Sequence, residues 1–501
     1  MGQKSVERTK KTLDKDLDKL AHVDDAARFV LRGFGPAGAG LVFTVIAMLV
    51  AGLYVFDRPE AVIVVAASAA CAYMAMNIGA NDVTNNVGAA VGARAIGMGA
   101  ALVMAAVFEI LGATLAGSRV TATISGGIVS HTGIGDTQTL IWIMMAALTA
   151  AALWINLATW LNAPVSTTHA VVGAVLGAGV AAGGADSIDW WSVGAITASW
   201  IVSPLLGGLV AAAFLWLIKE TIIYRQDKIG AACHWVPILT GAMAGSFTTF
   251  LMLQTANVHG LPGSAASMIG LTIGLLGWVT ARPFVRRQAA GLENRNSSLR
   301  VLFRLPLIGA AALLSFAHGA NDVSNAIGPL SAIVHVTMEA PDIPAEIDVP
   351  AWVMGIGALG ISVGLLLFGP RLIRLVGEQI TKLNPARGWC VAMSCAVTVI
   401  VASWFGLPVS STHIAIGAVF GVGLFREWYT RHSRRRLVYL RARSGHVELV
   451  EREERNPEEH RRRKLVRRSY LITIGAAWVV TVPLSGLLAA AFYWIMVALF
   501  L

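Results

Sequence analysis

The sequence predicts an all-α, polytopic membrane protein made of two inverted-topology repeats, with broken or re-entrant helices. Two observations predict this fold. The chain of 501 residues is 56% hydrophobic and only 14% charged, with a mean hydropathy of +0.66, whereas soluble domains are about 25% charged. Polar motifs inside its apolar segments also occur twice in the same order, which is typical of secondary transporters.

The apolar segments are long enough, or nearly so, to cross a membrane as helices. They lie at approximately 36–56, 61–90, 97–117, 137–161, 164–182, 190–218, 236–256, 264–282, 305–330, 350–369, 388–406, 408–424 and 469–501. Links rich in Lys and Arg should be cytoplasmic, as at 282–304, and the acidic link at 335–350 should face outward. Counting spans between these links places the two halves in opposite orientations.

These assignments divide the chain into five parts. The parts are a cytoplasmic amphipathic arm at 1–35, an extra N-terminal span at 36–60, the first inverted repeat at 61–235, connecting spans with a basic cytoplasmic linker at 236–304, and the second inverted repeat at 305–501. The second repeat carries a charged cytoplasmic insertion at 426–468. We interpret this insertion as a solvated helical pair; a regulatory or lipid-headgroup contact is the alternative.

Several function classes are excluded by the composition. The net charge of +10 lies mostly in polar loops, where the positive-inside rule explains it, so we expect no nucleic-acid partner. The four cysteines lack metal-ligand spacing, which predicts no transition-metal site. The spans contain no phosphate-binding loop of the nucleotide-hydrolase type and no nucleophile–base pair. We therefore expect no enzyme and no cofactor; a coupling ion, Na⁺ or H⁺, is the one small ion required.

The first duplicated motif is G-A-N-D-V-T-N-N-V-G at Gly79 to Gly88 and G-A-N-D-V-S-N-A-I-G at Gly319 to Gly328. A carboxylate at mid-membrane costs roughly 2.5 to 3.5 kcal/mol, so two such sites need a function. The flanking glycines are expected to let each helix unwind, so that carbonyls and side chains form a cage of hard oxygen ligands for Na⁺, or a carboxylate that carries H⁺. The candidate cation ligands are Asn81, Asp82, Asn85, Asn321, Asp322 and Asn325. The alternative is a hydrogen-bonded helix junction without an ion.

The second duplicated motif is A-P-V-S-T-T-H at Ala163 to His169 and L-P-V-S-S-T-H at Leu407 to His413. Proline is favoured in the first turn of a helix, so Pro164 and Pro408 are expected to open short helices. Free N–H groups and clustered hydroxyls at such helix ends suit a tetrahedral oxyanion such as phosphate. The candidate anion ligands are Ser166, Thr167, Thr168, Ser410, Ser411 and Thr412. Alternatively, these hydroxyls only cap the helices.

Three further features bear on the site. His169 and His413 end the second motif, and we interpret them as structural groups rather than proton carriers. Glu109 is an acid within a span whose counterpart in the second half is apolar, so its role is asymmetric: it either tunes coupling or packs the bundle. A third paired block, Ala198 to Leu209 and Ala476 to Leu487, follows in the same order.

The G-A-N-D-V and P-V-S-T-T-H copies resemble the duplicated signatures of the inorganic phosphate transporter (PiT) family. The stretch I-T-K-L-N-P-A-R-G-W, Ile380 to Trp389, is similar to that family's second-half linker. The resemblance implies secondary active uptake of phosphate with Na⁺ or H⁺, with the cation-site roles on the Asn and Asp residues named above and the phosphate-site roles on the six hydroxyl residues. Family copies usually have Ala in place of Thr84, Asn86 and Ser324.

The sequence thus predicts a symporter that imports inorganic phosphate by alternating access, with inorganic phosphate and the lipid bilayer as its partners. A sulfate permease of the same fold and, from another class, an uncoupled anion channel are the alternatives. We expect an integral protein of the bacterial inner membrane with a cytoplasmic N-terminus, and a homodimer is left open.

Overall fold

The structure is a computed structural model that describes residues 34–130, 134, 136–161, 165–254, 262–338, 349–379, 383–444 and 469–500. In these residues it is almost entirely helical, with a single isolated β-bridge between Val129 and Ile188. The helices are α1 Phe34–Val55, α2 Ala61–Gly92, α3 Met98–Ala116, α4 Ser118–Gly126, α5 Thr137–Trp160, α6 Thr167–Gly183, α7 Trp190–Ile218, α8 Lys228–Gln254, α9 Gly263–Ala289, α10 Arg304–Asp322, α11 Ser324–Met338, α12 Ala351–Gln379, α13 Pro385–Trp404, α14 Ser411–His432, α15 Arg434–Ser444 and α16 Ser469–Phe500.

The predicted all-α membrane fold is confirmed. Among the described residues, 11 helical segments are long and apolar enough to cross a membrane, and α6 is a shorter apolar helix. Most helix ends lie within a few residues of the predicted spans. The short helix α4 was not predicted, because Arg119 and the hydroxyl residues around it interrupt the apolar run.

Some predicted segments lie partly outside the described residues. These are the N-terminal arm up to residue 33, the acidic link at 339–348, and the insertion from residue 445 to 468. The described part of the insertion, 426–444, contains the end of α14 and helix α15. Side chains of α15 contact residues at the end of α7 and the start of α8.

The main helix contacts between the two halves come in matching pairs. Helix α2 packs on α12 and α3 packs on α10; likewise α6 packs on α16 and α7 packs on α14. Each half therefore contributes the same kind of helix to its partner half, as a repeat requires. The opposite orientation of the halves and the exact division of the chain stay predictions.

The first glycine of each motif copy, Gly79 or Gly319, serves close packing rather than unwinding. A Cβ on Gly79 would collide with the carbonyl oxygen of Ile361 on α12, and a Cβ on Gly319 would collide with that of Glu109 on α3. Helix α2 runs unbroken through its motif, so the expected unwinding is wrong there. In the second copy the helix is interrupted only at Val323, between α10 and α11. Keeping the helix is favourable because an unpaired backbone group in a bilayer costs several kcal/mol, against about 1 kcal/mol for a helical glycine.

Candidate functional site

Two buried carboxylates lie close together where the halves meet, Asp82 on α2 and Asp322 at the end of α10. The imidazole of His318 lies between them. Its Nε2 is 2.9 Å from Oδ2 of Asp322 and 3.7 Å from Oδ2 of Asp82. One ligand atom from each of the three residues lies within 4.8 Å of the others. The two copies of the Asp motif therefore form one centre.

Asp82 is held by four hydrogen-bond donors from both halves. They are Asn81 Nδ2 at 3.0 Å, Asn85 Nδ2 at 3.3 Å, Thr167 Oγ1 at 3.1 Å and Thr412 Oγ1 at 3.0 Å. Such donors replace the water that a carboxylate loses on burial. Thr167 and Thr412 come from the two copies of the second motif, whose hydroxyl residues at 166–168 and 410–412 we call the hydroxyl blocks. The predicted cation ligands and the predicted anion ligands therefore share one network.

Asp322 has fewer donors than Asp82. Ser411 Oγ donates to its Oδ2 at 3.1 Å, next to the contact with His318. Its Oδ1 is buried without a hydrogen-bond partner among the described residues, and so is the Oδ1 of Asn325. Asn325 uses its Nδ2 to bond Thr168 at 3.2 Å. Oxygen atoms of this kind, buried and unsatisfied, are the ligands that a hard cation prefers.

Asn81 and Asn321 bond to the backbone just before α6 and α14. These two helices begin in the hydroxyl blocks, and we call them the hydroxyl helices. Asn81 Nδ2 donates to the carbonyl of Val165 at 3.1 Å. Asn321 Nδ2 donates to the carbonyl of Leu407 at 3.1 Å, and its Oδ1 accepts from the N–H of Val409 at 3.2 Å. These amides thus fix each hydroxyl block against the neighbouring Asp motif.

The hydroxyl helices begin one residue after a serine cap. Ser166 Oγ accepts the N–H of His169 at 3.2 Å, and Ser410 Oγ accepts the N–H of His413 at 3.3 Å. For these two serines the capping alternative is the one observed. The N–H groups of the first residues, at Thr167 and Thr168 in α6 and likewise in α14, have no helix carbonyl to bond.

The proline expectation is wrong for the second block. Helix α14 begins at Ser411, and Pro408 lies outside it, with its carbonyl accepting Nε1 of Trp200 at 3.0 Å. A serine cap satisfies a free N–H, which a preceding proline does not do, so the cap defines the start. Residue 164 lies outside the described residues.

The two histidines at the ends of the blocks pack against each other. The rings of His169 and His413 are 4.4 Å apart and nearly perpendicular, and Trp200 lies 3.8 Å from the ring of His169. Both are buried. This packing supports the structural interpretation of the pair.

Glu109 is linked to the centre by polar contacts that have no counterpart at the repeat-related positions. Its Oε1 accepts Nδ2 of Asn86 at 2.8 Å, and its Oε2 lies 2.9 Å from Nδ1 of His318. We call Asn86, Glu109 and His318 the asymmetric trio. Motif alignment and the matched glycine contacts give apolar counterparts for all three. These counterparts are Ala326, Ile361 and Ile78.

The ring of His318 lies between two carboxylates. Both ring nitrogens lie 2.9 Å from a carboxylate oxygen, one on Glu109 and one on Asp322. An ionised carboxylate only accepts hydrogen bonds, and a neutral imidazole has a single N–H. A neutral His318 therefore donates to one carboxylate at most, and its Nδ1 contact with Glu109 is the one that has hydrogen-bond geometry.

Comparison with known proteins identifies the family of this chain. The sequence pattern described as the phosphate transporter family matches residues 78–489. The chain belongs to the phosphate transporter family. A protein of Helicobacter pylori strain J99, named as a phosphate permease, is 40% identical over 98% of this chain and 97% of its own length. A Pyrococcus abyssi protein with the same description is 32% identical over 84% of this chain and 94% of its own.

A solved structure titled "The sodium-dependent phosphate transporter" has the same fold. It superposes with a TM-score of 0.77 at 31% identity and covers 88% of this chain and 100% of its own. Together with the apolar helices, this likeness makes the chain an integral membrane protein of the phosphate transporter family, which is a family of transporters rather than enzymes.

In this member of the phosphate transporter family, all the predicted site residues lie in or directly beside one buried network. The predicted residues that bond to one another or to His318 there are Asp82, Asp322, Asn81, Asn85, Asn325, Thr167, Thr168, Ser411, Thr412 and Glu109. Sequence reasoning missed His318 and the role of Asn86. The available signal was their contrast with Ile78 and Ala326 in the other motif copy.

Proposed function

We propose that the protein imports inorganic phosphate by symport with Na⁺ or H⁺ through alternating access. One observation carries the proposal: hydroxyls from both hydroxyl blocks, those of Thr167 and Thr412, donate to the same buried carboxylate, Asp82. Anion-type ligands and cation-type ligands therefore meet at one centre between the halves. Membership of the phosphate transporter family supports phosphate as the anion.

The same hydroxyls explain how anion and cation binding are linked. A hydroxyl that donates to a carboxylate cannot donate the same proton to phosphate. When phosphate binds at the ends of α6 and α14, Thr167, Ser411 and Thr412 turn their donors toward it. Cations then take the places of those donors on Asp82 and Asp322. Without them, three anions would share a site of low dielectric constant, and their repulsion would exclude the substrate.

The ligand types bear on which cation is used. The unsatisfied Oδ1 atoms of Asp322 and Asn325 are hard oxygen ligands, which suits Na⁺. A sodium-dependent relative of the same fold supports this choice. His318 and the carboxylates beside it can hold a proton that is released when a cation enters, which makes H⁺ the other candidate.

Alternating access is supported by the matched contacts between the halves. Each half supplies one Asp motif, one hydroxyl helix end and one helix that packs across the boundary. A centre lined by both halves is opened to either side by moving one group of helices against another. We place the protein in a bacterial inner membrane with its N-terminus on the cytoplasmic side. This orientation is the one that the charges between the spans predict.

The test is phosphate uptake into proteoliposomes with Na⁺ and pH gradients imposed separately. Uptake driven by one gradient and lost when that gradient is collapsed supports symport and identifies the ion. Uptake that persists with both gradients collapsed contradicts it. Competition by sulfate distinguishes the sulfate permease, and a phosphate current without any coupling cation distinguishes the channel.

A further inference from the structure

The link between α13 and α14 is held at one end of the bundle by an arginine of the other half. Arg119, on α4, donates from Nη1 to the carbonyl of Trp404 at 3.0 Å, and its guanidinium lies 4.6 Å from the centre of the Trp404 ring. Thr123, one turn later on α4, donates to the carbonyl of Gly406 at 2.7 Å. This link leads directly into the second hydroxyl block. We call the contact between Arg119 and Trp404 the first latch.

The same two residue types occur at the repeat-related positions. The sequence G-S-R at 117–119 matches G-P-R at 369–371, and A-T-W at 158–160 matches A-S-W at 402–404. Arg371 is thus the counterpart of Arg119, and Trp160 is the counterpart of Trp404. Trp160 precedes the first hydroxyl block at the spacing at which Trp404 precedes the second. The counterpart of Thr123 is Leu375, so only the arginine and the tryptophan are repeated.

These counterparts do not meet in the structure. Trp160 is 73% exposed, and Arg371 is exposed as well. Trp404, under the guanidinium of Arg119, is only partly exposed. Among the described residues, no hydrogen bond or cation–π contact joins Arg371 to Trp160. The first latch is therefore closed, whereas its counterpart is open.

The two arginines lie toward opposite ends of the bundle. Helix α10 starts beside the end of α2, where Arg304 donates to the carbonyl of Ala95 at 3.4 Å, and it reaches Asp82 of α2 with His318. These two helices are therefore antiparallel. Helix α3 runs parallel to α10, and α12 runs parallel to α2, as pairs of facing residues show: Glu109 with Gly319, Gly117 with Val323, Ile361 with Gly79, and Gly369 with Val83. The residues after α3 and those late in α12 are thus at opposite ends.

The open pair already has the supports that the first latch has. Thr159 donates to Oδ1 of Asn81 at 3.4 Å, and a Cβ on Gly369 would lie 3.0 Å from Val83. The tryptophan and the arginine follow Thr159 and Gly369 by one and two positions, so both flank the same turn of α2. The first latch has the equivalent contacts: Asn321 donates to Ser403 at 3.0 Å, and Gly117 faces Val323.

A break in the helix distinguishes the closed pair from the open one. Helix α3 ends before Gly117 and α4 begins after it, whereas α12 runs unbroken through Gly369 and Pro370. Two positions along a continuous helix differ by about 200°, so Arg371 faces away from the turn of α2 that Gly369 touches. Pro370 has no N–H and already lacks one helix hydrogen bond, which makes it the place where α12 bends most readily.

We infer that Arg371 and Trp160 form a second latch, which closes when α12 bends at Pro370 and the first latch opens. An arginine over a tryptophan ring is a favourable pair in either place. Inverted halves exchange their conformations when a transporter changes the side to which it is open. The inference rests on the alternating access of the proposed function. Arg371 and Trp160 are positioning residues, because they act on the first hydroxyl block through the link before it.

Hydroxyl-radical footprinting of the full-length protein in lipid nanodiscs reads both latches. The oxidation rate of a tryptophan follows its exposure, and mass spectrometry locates each oxidised residue. Arg119→Gln removes the cation of the first latch. As the population shifts, oxidation of Trp404 should rise about twofold or more, and oxidation of Trp160 should fall by a similar factor. A local role of Arg119 changes Trp404 alone, so an unchanged rate at Trp160 overturns the inference.

Variants of Arg371 test the second latch through phosphate uptake into proteoliposomes. Since Arg371 is exposed in this state, Arg371→Gln should leave Tm unchanged, yet uptake should fall about fivefold or more because one of the two states loses its latch. Arg371→Lys keeps a cation for Trp160 and should retain at least half of the uptake. Arg374→Gln, one turn later on α12 and also exposed, is the matched control and should equal the wild type. Wild-type uptake by Arg371→Gln contradicts the second latch.

The two measurements separate failure of this inference from failure of the proposed function. Footprinting needs no transport, so opposite changes at Trp160 and Trp404 support the latches even if the wild type takes up no phosphate. Coupled uptake by the wild type, with an unchanged Trp160 in Arg119→Gln, contradicts the latches alone. Gel filtration reports whether Arg119→Gln folds, and if it does not, the comparison of Arg371→Gln with Arg374→Gln decides.

Discussion

Nδ1 of His318 lies 2.9 Å from Oε2 of Glu109, and this contact joins the second Asp motif to a helix of the first half. Glu109 is held from its other oxygen by Asn86, in the first motif. The repeat has no second copy of the asymmetric trio, since the positions that correspond to His318, Glu109 and Asn86 are Ile78, Ile361 and Ala326. The two halves can therefore be alike in shape and still differ in charge.

Replacing Asn86 tests the end of this chain. Asn86→Ala gives the first motif the residue of the second and leaves Oε1 of Glu109 buried without its donor. We expect a stability loss of about 1–3 kcal/mol, the cost of an unsatisfied buried acceptor, measured as a lower Tm of the purified protein. Phosphate uptake should persist, because His318 still holds Glu109.

Thr84→Ala is the matched control for that experiment. Thr84 lies on the same helix, and its hydroxyl makes a long 3.5 Å hydrogen bond to the carbonyl of Asn81. It should leave Tm close to that of the wild type. Equal Tm values for Asn86→Ala and Thr84→Ala would show that the amide of Asn86 does not stabilise Glu109.

Asp82→Asn tests the central carboxylate. The variant has nearly the same size, but its amide nitrogen would face a shell of donors instead of accepting from them. Without the charge, nothing at this position attracts the coupling cation, so phosphate uptake into proteoliposomes should fall to background while membrane insertion is kept.

The control for Asp82→Asn is another aspartate with a defined structural role. Asp136 caps α5 by accepting the N–H of Thr139 at 2.7 Å, and Asp136→Asn keeps an oxygen that can do the same. Uptake by Asp136→Asn should match the wild type. Gradient-driven uptake at the wild-type rate in Asp82→Asn would remove Asp82 from the coupling mechanism.

Gly79→Ala tests the close approach of α2 and α12. The new Cβ would collide with the carbonyl oxygen of Ile361, which is backbone and cannot turn away. Overpacking of this kind costs about 1–3 kcal/mol or more, so Tm should fall well below that of the wild type. At Gly88, in the same motif, nothing lies within 4 Å of an added Cβ. Gly88→Ala should leave Tm unchanged or raise it; a similar fall in both variants would assign the loss to the motif in general.

Tyr439 tests how the described part of the insertion is attached. Its hydroxyl accepts from Nζ of the buried Lys228 at 2.8 Å, and its ring lies 4.2 Å from the same atom. Tyr439→Phe removes a bond worth about 0.5–1.5 kcal/mol. Tyr439→Ala also removes a cation–π contact worth about 0.5–2 kcal/mol. Hydrogen exchange of the α15 amides should speed up in that order, and identical rates in the wild type and both variants would show that α15 is held elsewhere.

The helices could be predicted from the sequence because a bilayer requires long apolar segments, and most of their ends lie near the expected residues. Helix α4 could not, since Arg119 and its hydroxyl neighbours give it no apolar run. The unwinding at Gly79 was wrongly expected because a glycine permits both an unwound turn and a close helix contact, and only the position of Ile361 distinguishes them.

The site was predictable in its members but less so in its connections. Duplication identified Asp82, Asp322 and the hydroxyl residues, because it makes the same unusual polar residues occur twice. The link from Glu109 to His318 spans 209 positions and occurs in one half only, so neither spacing nor duplication reveals it. The crossing of hydroxyls onto Asp82, which merges two predicted sites into one, depends on tertiary packing in the same way.

The packing of helices across the boundary between the halves has a consequence for how the protein is synthesised. Helix α6 finds its main partner in α16, and α7 finds its main partner in α14. At about 5–20 residues per second, roughly 15–60 s of translation separate the synthesis of α6 from that of α16. During that time the first half holds its hydroxyl helix in the membrane without the neighbour that encloses it. The part of the centre that is synthesised first is thus the last to be covered, and a chain that ends before residue 469 lacks the helix that packs on α6.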